Sequence, residues 1–521
     1  VKFSDDARHV RFMSLCAFLR RLIPFPFLVY LPMENCAGWF ADCIQSKGSC
    51  MNTYDFNNYD DDNEPLDDNR DEELQKLKEQ LREGSSRVSS VEALEEIVAY
   101  YWENEKFEDA LHFINQLLTY LPYSAEAWQR KGLILANLFR YEEAIECYEK
   151  ALGLNPVDVE ALINKGIALD DIGRIEEALT TFEKALEIEP ANLDALFNKG
   201  ITMEKLARYA DAVTIFQFIV NGYPWHREAW YELGFCYDYL DQPVESLRCY
   251  DEHLKLDPYN YNAWYNRGIV LNRMYNYHRA IESYDTALAI QENFPAAWYN
   301  KGNAYANMGR LDDAIACYKE TIKFDEKDVP AWHNLGNAYE ELGEYELAID
   351  AFTRALEFDA KHYESYFGRG SCYDALGHVT AALHDYNKAL VLCNDYAELW
   401  YAKADLLYSM GRSNEAAVAY KHVTRLEPTN CEAWLDYGDT VLELGYHKQA
   451  LKAFDRAVEA NPVAAEAFYC RGKALMLLHR PFEAAASFES SFQLNPDLRE
   501  IFIEEFPDAP TRVEFQKLLQ G

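Results

Sequence analysis

PAAWYNKGNAYANMGRLDDAIACYKETIKFDEKD, residues 295–328, holds two short amphipathic segments around a turn at Met308-Gly309-Arg310. Trp298, Gly302, Tyr305, Gly309, Ala314 and Tyr318 mark the pattern, which returns when the frame is moved 34 residues in either direction. From Gly132 to Gly472 a small residue recurs at every step of 34, without insertion; Ala404 is the one alanine in the row. A period of this length, built from a helical hairpin, is the signature of a solenoid.

Working outward, twelve frames fit, from 91–124 to 465–498. Trp, Gly, an aromatic, Ala and a second aromatic at these offsets resemble the tetratricopeptide repeat (TPR) family. The resemblance implies an all-α superhelical solenoid of about twelve 34-residue helical hairpins, used to bind proteins.

Each frame has the same internal logic. The first helix carries its large residue at the fourth position, as at Trp128, Trp230, Trp298 and Trp434, and the glycine four residues later shares that face. If Trp298 fills the core, Trp298→Ala costs about 3–5 kcal/mol. Ala144, Ala314 and their equivalents mark a close contact on the second helix. Gly173, Gly309, Gly343, Gly377, Gly411 and Gly445 supply a left-handed residue that ends the first helix. Arg140, Arg174 and Arg310 follow that turn, where a cation favours the exposed carbonyls. Pro156, Pro190, Pro258 and Pro428 close the second helix, whereas Glu292, Glu326, Ala360 and Asn394 stand there in the middle of the array. After 498, residues 499–521 offer Phe502, Phe506 and Phe515 as a capping segment for the last apolar face.

The remaining segments differ. With 87 acidic against 50 basic residues the net charge is -37, which argues against a nucleic-acid backbone or an anionic membrane as partner. Twelve cysteines without a CxxC pair read as reduced thiols of a cytoplasmic protein, several at equivalent helical positions such as Cys147, Cys249 and Cys317. Residues 1–50 carry Arg8, Arg11, Arg20 and Arg21 before an apolar run broken by Pro24 and Pro26, too short to span a bilayer and a poor signal peptide. Composition changes abruptly at Met51, so 1–50 is read as a mis-assigned extension upstream of the true start. Residues 51–90 then form an acidic disordered tail and a short charged helix at 71–83. Asp60, Asp62 and Glu64 fail as a calcium loop because Pro65 replaces the required glycine.

No catalytic motif survives inspection: G-x-S-x-G, H-E-x-x-H and G-x-x-x-x-G-K-[ST] are all missing, and neither a cofactor nor a metal is implied. The chain is therefore expected to be a binding protein, not an enzyme. In the family, positions 2, 5, 6, 9, 12 and 13 of the first helix face or border the concave surface. Position 6 holds Asn164, Asn198, Asn266, Asn300 and Asn334, interrupted by Glu232. This row resembles the asparagine ladder of the O-linked N-acetylglucosamine transferase arm, where amides grip a peptide backbone with both donor and acceptor. Tyr231, Tyr265 and Tyr299 form a stripe at position 5 that packing also explains. The dicarboxylate-clamp set of Lys, Asn and Arg is not matched. Asp238, Glu340, Glu341 and Asp374 lie in last helical turns, where the dipole opposes them by a few tenths of a kcal/mol. Together these residues suggest a scaffold that holds an extended, basic peptide in its groove. The alternatives are a targeting arm for a glycosyltransferase or other enzyme on a separate chain, and a self-associating structural solenoid.

Overall fold

The computed structural model describes residues 91–519; the readings of 1–50, the acidic tail and the helix at 71–83 lie outside the described residues. Among the described residues the chain is all α, with a single 3-10 turn near its end. Twelve hairpins pair a 13-residue first helix with a 14-residue second helix, from Val91–Glu103 with Phe107–Tyr120 to Ala465–Leu477 with Pro481–Leu494. They divide into two compact units, through Ile290 and from Gln291, with six hairpins each.

Sequence dictates the hairpin through one tight approach. From the second repeat on, the aromatic at position 24 is fully buried, as at Tyr148, Phe182, Phe216, Tyr284, Phe352 and Phe454; the first repeat has Ile114 there. Its ring lies on the glycine at position 8: a Cβ on Gly336 would come within 2.6 Å of Phe352, and one on Gly302 within 2.7 Å of Tyr318. Ala144, Ala178, Ala212 and their equivalents have no exposed surface on the second helix, and neither do Ala161, Ala195 and Ala229 at position 3 of the first. Small residues around one ring per repeat thus set the helix separation.

The tryptophans at position 4 behave differently from the sequence expectation. Trp298 and the other six at that position are half-buried, not core. Their indole N–H groups donate to the backbone carbonyl six residues upstream, on Pro122, Pro224, Pro258, Glu292, Glu326, Asn394 and Pro428. Because the acceptor is a carbonyl, the loop closes equally well on Glu or Asn as on Pro. Three of the central departures from proline, Glu292, Glu326 and Asn394, therefore leave the closure intact.

Helix ends follow the same economy. Ser124, Asp158, Asn192, His226, Asn260, Asp328, His362 and Asn430 each accept from the N–H three residues on, capping the next first helix. Such a cap is worth about 1 kcal/mol. At the inner turn all twelve repeats adopt the left-handed conformation: six with glycine, and six with Glu105, Phe139, Ala207, Asp241, Tyr275 and His479. The arginines after this turn form their ion pairs ahead, not on the first helix, although the Arg310 guanidinium also lies 4.6 Å from the Tyr305 ring. Arg140, Arg174, Arg208, Arg310, Arg412 and Arg480 pair with the acid three residues ahead, in the first turn of the second helix. These pairs are exposed and contribute little.

Within each unit, first helices of successive hairpins approach one another more closely than second helices do. The first helices therefore line the inner side of the curve. At the chain end, Phe502 and Phe515 are fully buried against Phe488, with ring centroids 4.5 Å and 6.3 Å away.

Three substitutions test these constraints. Gly309 has φ 71° and open space around it, so Gly309→Ala should cost about 1 kcal/mol, while Tyr275→Gly should gain up to about 1 kcal/mol. Gly336→Ala should cost about 1–3 kcal/mol by overpacking against Phe352. Urea unfolding curves of the three variants give the sign and the order. Deleting 499–521 should bare the Phe488 face and promote association, read by sedimentation.

Candidate protein-binding face

The asparagines of position 6 lie on the first helices, half-buried, but their amide groups are partly spent. Asn198 and Asn300 donate to their own helix, at the carbonyls of Asp194 and Ala296. Asn266 donates to the Tyr231 hydroxyl at 2.9 Å, and Asn334 to the Tyr299 hydroxyl at 3.0 Å and to Asn303 Oδ1 at 2.9 Å. Position 5 of one repeat is thus tied to position 6 of the next. Asn164 makes no hydrogen bond within the described residues, and Glu232, which interrupts the row, is buried. The Tyr231, Tyr265 and Tyr299 rings pack on Tyr250, Tyr284 and Tyr318, with centroids 5.8–6.0 Å apart. Burial pushes the Tyr299 hydroxyl up to about 12.

In helix Val329–Glu341, Asn334, Asn337, Glu340 and Glu341 follow at helical spacing on one stripe. The Asn334 and Asn337 amide N–H groups turn to Tyr299, Asn303 and His333. Their carbonyl oxygens accept nothing within the described residues. Asn334 therefore presents an acceptor only, because both its N–H groups are spent, whereas Asn337 keeps one N–H beside its free oxygen.

The last-turn acids of the first unit have an explanation that the helix dipole alone did not supply. Asp238 pairs with Arg273 at 2.7 Å, and Asp170 pairs with Lys205, each cation coming from the next repeat. Burial pushes the Asp238 carboxyl up, and the Arg273 guanidinium pulls it back. In the second unit Glu341 is exposed, while Glu340 and Asp374 are half-buried.

Two features escaped sequence reading. Lys165–Glu149, Lys199–Glu183, Arg267–Asp251 and Arg471–Asp455 join position 7 to position 25 of the preceding repeat. Opposite charges sixteen residues apart were the available signal. The second is a histidine chain in the second unit. Asn337 donates to His333 Nε2 at 3.1 Å, His333 Nδ1 lies 3.1 Å from Ser365 Oγ, and Ser365 Oγ lies 2.8 Å from His362 Nδ1. The donors and acceptors close when His333 is neutral with its proton on Nδ1.

TPR family models match residues 125–157, 159–192, 181–214, 276–309, 302–343, 329–362, 363–396, 397–430 and 442–497. The chain belongs to the tetratricopeptide repeat family, and its repeats form a protein-interaction scaffold. It is similar to YrrB, a TPR protein with an unusual peptide-binding site, at 23% identity over 34% of this chain and 93% of that one, with a TM-score of 0.33. The C-terminal part of a TPR repeat-containing protein from Cytophaga hutchinsonii is 21% identical over 46% of this chain and 97% of its own, with a TM-score of 0.41. Yeast Tom70 is 14% identical over 79% and 99%, with a TM-score of 0.35. No curated protein matches the chain. No helix among the described residues is long and apolar enough to cross a membrane.

Burial, with His362 beside it, lowers the His333 pKa to about 3, against an ordinary value near 6.5. Between these values the unfolded chain binds a proton that the folded chain refuses. The stabilisation is thus complete above about pH 6.5 and is lost as pH falls toward about 3, at up to about 1.4 kcal/mol per pH unit. His333→Gln should flatten this part of the stability profile, measured by urea unfolding from pH 7 to about pH 4. An unchanged slope would mean that the carboxylates alone set it.

Proposed function

We propose that the inner face of the second unit holds an extended, donor-rich segment of a protein partner, with lysine and arginine side chains. The observation that supports this is the stripe of helix Val329–Glu341, where two amide oxygens run into Glu340 and Glu341. A surface of acceptors fits backbone N–H groups and cationic side chains, and a net charge of -37 raises the encounter rate with such a segment. Asn164, Asn198 and Asn266, beside Asp238, extend the same chemistry to the inner face of the first unit. There the basic partners of the acids compete with a ligand. We place this activity in the cytoplasm, where thiols such as Cys236 and Cys372 stay reduced. The role is to bind, and no catalytic step is assigned to the chain.

Calorimetric titration with a Lys/Arg-rich peptide and with its neutral counterpart tests the reading. Glu340→Gln with Glu341→Gln should weaken only the basic peptide, by about three- to tenfold, and affinity should fall with salt as the roughly 10 Å screening length at 0.1 M shortens. Asn334→Ala with Asn337→Ala should weaken both peptides. Equal affinities in all variants, each with its helicity intact, would place the ligand elsewhere.

A further inference from the structure

The outer loops of the first unit carry an apolar edge with no role in the hairpin fold. Position 33, in the loop after each second helix, holds Tyr123, Val157, Ala191, Trp225 and Tyr259. Tyr123, Trp225 and Tyr259 are 84%, 67% and 78% exposed, and Val157 is also exposed. Three residues earlier, at the end of the second helix, stand Tyr120, Leu154, Ile188, Gly222 and Leu256, and the four with side chains are exposed. Neither row contains a charge. In the second unit the same loop position is polar or charged at Asn293, Lys327, Lys361, Asp395, Thr429 and Asp497 and apolar only at Val463, so the repeat itself does not demand an apolar residue there.

The four aromatics alone expose roughly 570 Å², taking about 200 Å² for each whole side chain. With the aliphatic residues the edge approaches the roughly 800 Å² per partner of a stable interface.

We propose that this edge is a two-fold dimer interface between copies of the chain, with its axis beside Ala191. Equal 34-residue steps make the row complementary to its own reverse. Antiparallel docking sets Trp225 against Val157 of a second copy and Tyr123 against Tyr259, while the smallest residue meets itself at the axis. The inner row follows the same order: Leu154 faces Gly222, Tyr120 faces Leu256, and Ile188 meets itself. Each large side chain on the Trp225 and Leu154 steps thus meets a smaller one, as an isologous contact requires. The occupant is a second copy rather than a basic partner because the two rows are apolar and uncharged within a chain of net charge -37, the acids beside them at the axis being Glu187 and Glu189. That charge opposes association, so the dimer should tighten with salt, opposite to peptide binding on the inner face. The interface does not depend on the peptide-binding reading.

Sedimentation of the full chain up to roughly 100 μM should show a dimer, populated more strongly at about 1 M than at about 0.1 M salt. Trp225→Lys and Val157→Asp should each weaken it about 30-fold or more, as loss of a central aromatic contact does. Mixed in equal amounts, the two variants should dimerise again, because one new lysine then faces one new aspartate and the other Trp225–Val157 contact is restored. Tyr275→Ser, at the opposite edge, should leave the dimer unchanged, and circular dichroism confirms that all chains keep their helices. A monomeric parent chain, dimers that survive both substitutions, or a mixture that stays monomeric would each overturn the proposal; a monomer would leave the edge to a different protein.

Discussion

The contact on which everything else depends is an aromatic ring lying on a bare backbone. In hairpin after hairpin a buried Phe or Tyr of the second helix rests against a glycine of the first, at distances that a Cβ would violate. This contact sets how close the two helices lie, and hence how alanines fit around them. The first hairpin, with Val98 and Ile114, departs from this, and so does Ala404, where the ring of Tyr420 is held by a hydroxyl bond to Asp405 at 2.6 Å. Close approach within a repeat is local, so cohesion along the array must come from separate contacts between neighbours.

Those neighbour contacts are polar as well as apolar. Indole N–H groups fasten loops, carboxylates and cations link position 25 to position 7, and tyrosine hydroxyls meet asparagines one repeat on. The side chains that could greet a ligand are thus the same ones that join repeats. In the second unit the Asn334 N–H groups serve the joint, to Tyr299 and Asn303 of the preceding repeat, while its oxygen takes no part in it.

Much of this was legible in the sequence. The period, the hairpin and the left-handed glycine rest on local rules that act within one frame, so one frame suffices to read them. Trp298 misled because size was taken for burial, whereas an indole can lie half-exposed and still bind through its N–H. The ion pair of Asp238 escaped because its partner, Arg273, lies 35 residues away on another helix. Contacts between repeats involve pairs of frames, and no single frame displays them. The histidine chain from Asn337 to His362 is hidden for the same reason.

The tryptophan bond to a carbonyl has a consequence for how such a chain can change. Every residue owns a carbonyl, so the loop is held without regard to which side chain follows. The residue after it is released from structural duty and can drift toward aromatic in one stretch and toward lysine or aspartate in another. Fastening is written in the backbone and identity in the side chain, which lets an unvarying coil acquire distinct faces one loop at a time.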